Sequence, residues 1–225
     1  MEYTAEKVGE VRDLGDIYRV DAPLDKQLKA FAKLGISDLA SADEIAQIRL
    51  AGIQEAYSRT SIAPIAMKDK KTILFRESPL MNILTAGLAV KAHRKGEYFT
   101  MPAEIYEFAE QIANEDSGIE PENRRAIFTS KNEDYSLTQE MDETRFLLRN
   151  HNIPYFDKFV KNGKKGKIPF CNLKSDIKDE AIVNYLWFVS PDCGSDFGCV
   201  SRSLDYSCRA FGVLHAAEGS ARKKG

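Results

Sequence analysis

The C-terminal stretch 182-IVNYLWFVSPDCGSDFGCVSRSLDYSCRAFGVLHAA-217 joins an apolar, aromatic run to a segment of unusual composition. Residues 188–217, called the C-terminal segment below, contain no Lys, Glu, Gln, Met or Trp, although these five residue types make up 48 of the 225 residues of the chain. The probability that a run of this length lacks all five types by chance is on the order of one in a thousand if the run starts at a given residue. The probability that such a run occurs anywhere in the chain is roughly a few per cent. Turn-rich β structure disfavours Lys and Glu, but here Asp, Ser, Arg, Cys, Tyr and Phe follow one another without an apolar face.

The rest of the chain has the composition of a globular protein. It is 43% hydrophobic and 29% charged, with a net charge of −2. This balance argues against disorder and against general electrostatic attraction to nucleic acid or anionic lipid. No apolar run approaches the roughly 20 residues of a membrane span, and the acidic N-terminus is unlike a secretory signal. We therefore predict no signal peptide, no membrane insertion and synthesis in the cytoplasm, with function there, on a virion or at a cell surface.

Helical periodicity dominates the first two thirds of the chain. Residues 24–34 and 42–58 carry apolar side chains at helical spacing, and Ser41 with Glu44 forms a capping box at the start of the second helix. These patterns predict that residues 1–70 form an N-terminal helical extension or subdomain. Two further helices are predicted to begin at Pro79 and at Pro102, and a third is predicted to cover residues 138–150.

Strand signals concentrate after residue 150. Residues 155–160 and 167–170 flank an Asn-Gly turn and predict a hairpin. Residues 182–189 are apolar apart from Asn184 and predict one buried strand. Helices followed by an antiparallel region indicate an α+β fold with a helical N-terminal part.

The polar residues form no standard catalytic or metal motif. The three histidines, His93, His151 and His215, are far apart and lack partners at the spacing of a metal-binding helix, and the four cysteines lack the close pairs of a structural zinc site. We therefore predict free thiols, no metal and no cofactor. Phosphate-binding loops and nucleophile elbows are absent. The basic run over 161–167 is a single turn, which argues against nucleic-acid binding.

Three consecutive pieces of the C-terminal region resemble a known family. Residues 184–188, residues 190–191 and the Gly-, Ser-, Asp-, Cys- and Tyr-rich run ending at 209–214 are similar to the C-terminus of C-type-lectin-like domains of the formylglycine-generating-enzyme-like kind, in particular the variable proteins of diversity-generating retroelements. In that system a reverse transcriptase miscopies adenines, so that AAC and AAT codons become any codon ending in C or T. Those codons cannot encode Lys, Glu, Gln, Met or Trp, the types missing here.

The resemblance implies a domain organisation. It covers residues 98–217, and upstream residues 98–109 resemble the family's Leu-Pro-Thr-Glu-x-Glu-Trp-Glu segment with one residue of altered spacing and without its Trp. It implies a C-type-lectin-like domain with a short antiparallel sheet over residues 71–217, a variable region over about 188–217 and a polar tail over 218–225.

The resemblance also implies a function, that of a viral or microbial receptor-like or adhesin-like protein and not an enzyme. Variable side chains would project from a rigid frame and bind a protein or cell-surface ligand, a role that suits rigid aromatic and small polar residues. The implied frame consists of Leu186, Trp187, Val189, Ala210, Gly212 and Leu214. The implied ligand-binding residues are Asp192, Cys193, Ser195, Asp196, Phe197, Cys199, Ser201, Arg202, Asp205, Tyr206, Cys208 and Arg209. Arg202, Tyr206 and Arg209 belong to the residue types that dominate binding energy.

Two other functions stay open from the sequence. A formylglycine-generating-type enzyme on the same fold would use a cysteine pair, and Cys193 with Cys199 is one residue wider than the pair of that family. A virus-encoded inhibitor would bind a host protein or nucleic acid through residues 161–167. A homo-oligomer is also open, and several copies of a weak site would gain affinity through avidity.

Overall fold

Two sheets and six α-helices make up the part of the chain that the computed structural model describes, namely residues 2–53, 58–129, 135–160, 167–171, 173–188, 197–198, 204–205 and 207–215. The helices are α1 (Leu24–Ala32), α2 (Ala42–Leu50), α3 (Ile83–Arg94), α4 (Glu104–Glu115), α5 (Asp142–Leu148) and α6 (Asn152–Tyr155). The strands are β1 (Glu6–Val11), β2 (Gly15–Ala22), β3 (Ser58–Arg59), β4 (Ala63–Ala66), β5 (Ile73–Phe75), β6 (Thr100–Pro102), β7 (Ala126–Phe128), β8 (Tyr135–Leu137), β9 (Ile168–Cys171), β10 (Glu180–Val183), β11 (Trp187–Phe188), β12 (Phe197–Gly198) and β13 (Cys208–His215). No helix among these residues is both long enough and apolar enough to span a membrane.

The larger sheet joins the two ends of the chain. Its strand order is β1-β2-β13-β3-β11-β12-β9-β8. Strands β2 and β13 pair antiparallel along their whole length, from Gly15 opposite His215 to Ala22 opposite Cys208. The prediction that residues 1–70 form a helical extension is therefore wrong, because this part of the chain supplies strands to both sheets. The pairing was hidden from sequence reasoning because the partner of β2 lies at the other end of the chain.

The smaller sheet is antiparallel, with the order β6-β10-β4-β5-β7. It shares one hydrophobic core with α1, α3 and α4, where Phe31, Tyr106 and Tyr185 are fully buried. A second core joins α2, α5 and α6 to the larger sheet around Phe146 and Phe188. The α+β class predicted from the sequence is confirmed, but strands and helices alternate along the chain instead of following one another in two blocks.

Local signals set the limits of the first two helices. The capping box of α2 is confirmed, since the Ser41 backbone N–H donates to the Glu44 carboxylate at 2.6 Å and the Ser41 hydroxyl accepts from the Glu44 N–H at 3.5 Å. Helix α2 ends at Leu50, not at 58 as predicted. Gly52 follows with a φ of +88°, a conformation that favours glycine and stops a helix. The chain enters β3 at Ser58.

The predicted helices after Pro79, after Pro102 and over 138–150 exist as α3, α4 and α5, with later starts. Asn82 caps α3, because its side chain accepts from the N–H groups of Leu84 at 2.9 Å and Thr85 at 3.2 Å. Pro79 instead opens a single 3₁₀ turn before it, and Pro102 ends β6.

Two strand predictions are wrong. Residues 155–160 are helical and form no hairpin with β9. Strand β9 pairs instead with β8 and β12. The apolar run 182–189 is divided between β10 in the smaller sheet and β11 in the larger sheet. Asn184 and Leu186 lie between the two strands and donate their N–H groups to the carbonyls of Pro64 and Ile62. A chain that crosses between two sheets is buried on all sides, so it carries the same continuous apolar pattern as a buried strand.

Candidate ligand-binding surface

Residues 188, 197 and 198 of the C-terminal segment lie in strands β11 and β12. Strand β11 pairs with β3 on one side and with β12 on the other, and β12 runs parallel to β9. The ring of Phe197 meets that of Phe188 edge-on, with 4.6 Å between the centroids. Phe197 is only 1% exposed. The prediction that Phe197 is displayed to a ligand is therefore corrected, and we assign it to the frame beneath the surface.

Arg49 of α2 supports the start of the C-terminal segment from the core. Its side chain is buried, and its guanidinium carbon lies 4.3 Å from the centroid of the Phe188 ring. Its Nη1 donates to the Tyr155 hydroxyl at 2.9 Å and its Nη2 to the Phe188 carbonyl at 3.4 Å. The Tyr155 ring completes the cluster edge-on to Phe188. A buried cation thus reaches a backbone oxygen where the segment begins.

Arg59 and Gln27 hold the start of β13 through a buried polar link. Arg59 Nη1 donates to the Ala22 carbonyl at 2.9 Å and to Gln27 Oε1 at 2.8 Å, and the guanidinium lies 5.1 Å from the Tyr185 ring. The Gln27 amide in turn donates to the Cys208 carbonyl. Both linking side chains are fully buried. Because unmade buried hydrogen bonds are costly, these bonds restrict the position of the strand.

Leu204 is a third point of attachment, held by its backbone. Its carbonyl accepts from the Leu24 N–H at 3.1 Å, and its own N–H donates to His93 Nδ1 at 3.2 Å. His93 is only 6% exposed. An Nδ1 that accepts a hydrogen bond carries no proton, so a neutral imidazole has its proton on Nε2. This contact was not predicted from the sequence.

Three predicted ligand-binding residues, Asp205, Cys208 and Arg209, are partly exposed. Arg209 Nε lies 3.3 Å from Asp21 Oδ1, and both side chains are open to solvent. Burial raises the pKa of the Cys208 thiol, which keeps it protonated at neutral pH and poorly nucleophilic. The remaining predicted residues, Asp192, Cys193, Ser195, Asp196, Cys199, Ser201, Arg202 and Tyr206, lie outside the described residues. The cysteine pair of the enzyme alternative and residues 161–166 of the inhibitor alternative also lie there.

Most of the predicted frame is buried. Leu186, Ala210 and Gly212 are buried, and Trp187 is partly buried beside Tyr185, with 5.2 Å between the ring centroids. Leu214 is 40% exposed and does not belong to the frame, because it lies near the end of β13 where the strand leaves the core. Val189 lies outside the described residues. The frame residues that sequence reasoning missed are Gln27, Arg49, Arg59 and His93. Arg49 stands between Ile48 and Leu50 in the sequence, and this was the one signal available.

Comparisons with known proteins identify the architecture. No family model and no curated protein matches the chain. A solved structure described as "Accommodation of massive sequence variation in Nanoarchaeota by the C-type lectin fold" is similar, with a TM-score of 0.59 and 12% sequence identity. The similarity covers 91% of this chain and 100% of that chain. At this identity the similarity concerns the fold alone: the chain adopts a C-type lectin fold.

Proposed function

We propose that this protein binds ligands through a diversified C-terminal segment, and that its partner is a protein or cell-surface molecule. The observation that carries the proposal is the restricted composition of residues 188–217, which lack the five residue types that C- or T-ending codons cannot encode. The similar structure is described as accommodating massive sequence variation on the same fold. A diversity-generating retroelement would explain both features, and a viral or microbial receptor-binding role would use them.

The manner in which the frame holds the segment supports this function. Arg49 bonds to the carbonyl of Phe188, Leu24 to that of Leu204 and Gln27 to that of Cys208. Each contact uses a backbone atom of the segment. A side chain at a surface position can therefore be exchanged without loss of these bonds, so variation need not cost stability.

We expect burial to separate the segment into positions that vary and positions that do not. Phe197 and Leu204 are 1% and 0% exposed and belong to the frame, whereas Asp205, Cys208 and Arg209, called the open positions below, are partly exposed. The gene provides a direct test. We expect an adenine-rich template repeat and a reverse transcriptase gene near the gene of this protein. The template should carry AAC or AAT at the three open positions and other codons at the two buried positions. A gene without a repeat, or with AAC or AAT at the buried positions, contradicts the proposal.

A displayed library tests binding without knowledge of the natural ligand. Codons for Asp205, Cys208 and Arg209 are randomised to C- or T-ending codons in the full chain on the yeast surface, with purified lysozyme as the probe. Most members should resist proteolysis as well as the parent does, and selection should yield lysozyme binders. A matched library at Phe197 and Leu204 should be mostly protease-sensitive. Equal sensitivity of both libraries would show that the open positions are structural.

A further inference from the structure

Helix α3 presents an apolar stripe to solvent. Leu84 and Leu88 are 80% and 59% exposed and stand one turn apart. The opposite face of the helix is buried through Ala86, Ala89 and Val90. Single exposed apolar side chains are normal on protein surfaces, but neighbouring leucines on one helix face form a patch that favours association.

Gly87 lies in the same stripe and leaves space above the helix. Apart from its two chain neighbours and the backbone of α3 itself, no heavy atom comes within 4 Å of the position that a Cβ at Gly87 would take. Helices pack at 8–10 Å between axes, and the distance depends on the side chains at the crossing point. Glycine between Leu84 and Leu88 allows a second helix to approach closely and to pack both leucines.

The two ends of the stripe carry opposite charge. The C-terminal end of α3 carries Lys91, Arg94 and Lys95, all exposed. Before its N-terminal end, Met81 lines an open cleft of about 730 Å³. The exposed acidic residues Asp38 and Glu77 also line this cleft, with a third acidic residue, Glu44.

The two basic residues in the wall of the cleft, Arg76 and His215, contact other groups. His215 Nε2 lies 3.2 Å from Glu44 Oε1. Arg76 points its Nε at the Arg124 carbonyl, 2.9 Å away. Three acidic residues, Asp38, Glu44 and Glu77, outnumber these two and give the cleft an acidic character.

We propose that the stripe is the interface of a two-fold dimer in which α3 packs antiparallel against α3 of a second copy. A two-fold axis near Gly87 reverses the helix and brings Leu84 of one copy against Leu88 of the other. The same operation carries the basic end of each helix, with Lys91 and Lys95, to the acidic cleft of its neighbour. This self-complementary charge pattern identifies a second copy as the occupant, because the basic helix end of each copy meets the acidic cleft of the other.

The dimer would also couple to ligand binding. His93 lies on the buried face of α3 and accepts the hydrogen bond from Leu204, so the interface helix directly supports the C-terminal segment. Two copies would present two binding surfaces and gain affinity through avidity. This consequence rests on the proposed function, whereas the dimer itself does not.

Sedimentation velocity of the full chain tests the interface. The protein should sediment as a dimer at about 100 μM, and Leu84→Glu with Leu88→Glu should weaken dimerisation by about a hundredfold or more, with unchanged thermal unfolding of the monomer. Ile153→Glu is the matched control, since Ile153 is 61% exposed on α6, and it should leave the dimer intact. A monomeric parent chain, or a dimer that survives the double substitution, overturns the proposal.

A charge exchange tests the antiparallel register. A chain with Lys91→Glu and Lys95→Glu, and a second chain with Asp38→Lys and Glu77→Lys, should each lose dimerisation by about tenfold or more at low salt. An equimolar mixture should form heterodimers. In a heterodimer the acidic helix end of the first chain meets the basic cleft of the second, and the basic helix end of the second meets the acidic cleft of the first. A mixture that dimerises no better than either chain alone overturns the register. The library experiment has its own readout, so a failed dimer and a failed binding function are distinguishable.

Discussion

Replacement of Phe197 by alanine separates a frame residue from a ligand contact. Phe197 is 1% exposed and meets Phe188 edge-on at 4.6 Å, with an interplanar angle of 78°. A buried Phe→Ala change lowers the free energy of unfolding by about 3–5 kcal/mol. Because β12 has only two residues and can relax toward the cavity, we expect a loss near the lower limit, about 3 kcal/mol.

Urea unfolding followed by tryptophan fluorescence measures this loss. Trp187 is the one tryptophan of the chain and lies in β11, beside Phe188. Phe108→Ala is the matched control, since Phe108 is 49% exposed and contacts Phe75 at 5.9 Å between ring centroids. That change should cost about 1 kcal/mol.

The refuting result is a small effect. If Phe197→Ala lowers the free energy of unfolding by less than about 1 kcal/mol, or by no more than Phe108→Ala does, the side chain is not buried against Phe188. Phe197→Leu should recover most of the stability, because it refills the site with apolar volume. Failure of leucine to do so would argue against a packing role.

Three further changes test the frame and its ion pairs by urea unfolding. Arg59→Met should cost about 2–4 kcal/mol, because two buried acceptors lose their donor; a neutral effect would contradict the anchor. Gly212→Ala should cost about 1–3 kcal/mol, because the new Cβ would stand 2.9 Å from Phe31 Cδ1. Hydrogen bonds from Arg125 lower the pKa of the Asp116 carboxyl, so its stabilisation is complete above the unfolded pKa of about 3.9 and is lost as pH falls through the folded pKa. Asp116→Asn should flatten the pH dependence of stability below about pH 4, and an unchanged slope would disprove this role.

The candidate site was predictable in part. The limits of the C-terminal segment followed from its composition, which can be read without knowledge of packing. Its division into frame and surface did not follow, because Phe197 and Tyr206 are equally plausible as displayed aromatics in a sequence. Only the position of Phe188 beneath β12 shows that Phe197 turns inward. Arg49 and Arg59 were missed because a buried cation is recognised by the acceptors around it, and these come from distant parts of the chain.

The sequence was sufficient where the physical cause lies within a few residues. The capping box at Ser41 and Glu44 acts within one turn, so the start of α2 was predicted to the residue. Tertiary structure decided which strands pair and which apolar runs are strands. The pairing of β2 with β13 and the division of residues 182–189 between two sheets depend on hydrogen-bond partners far along the chain. A local pattern reports burial but does not identify the neighbour that causes it.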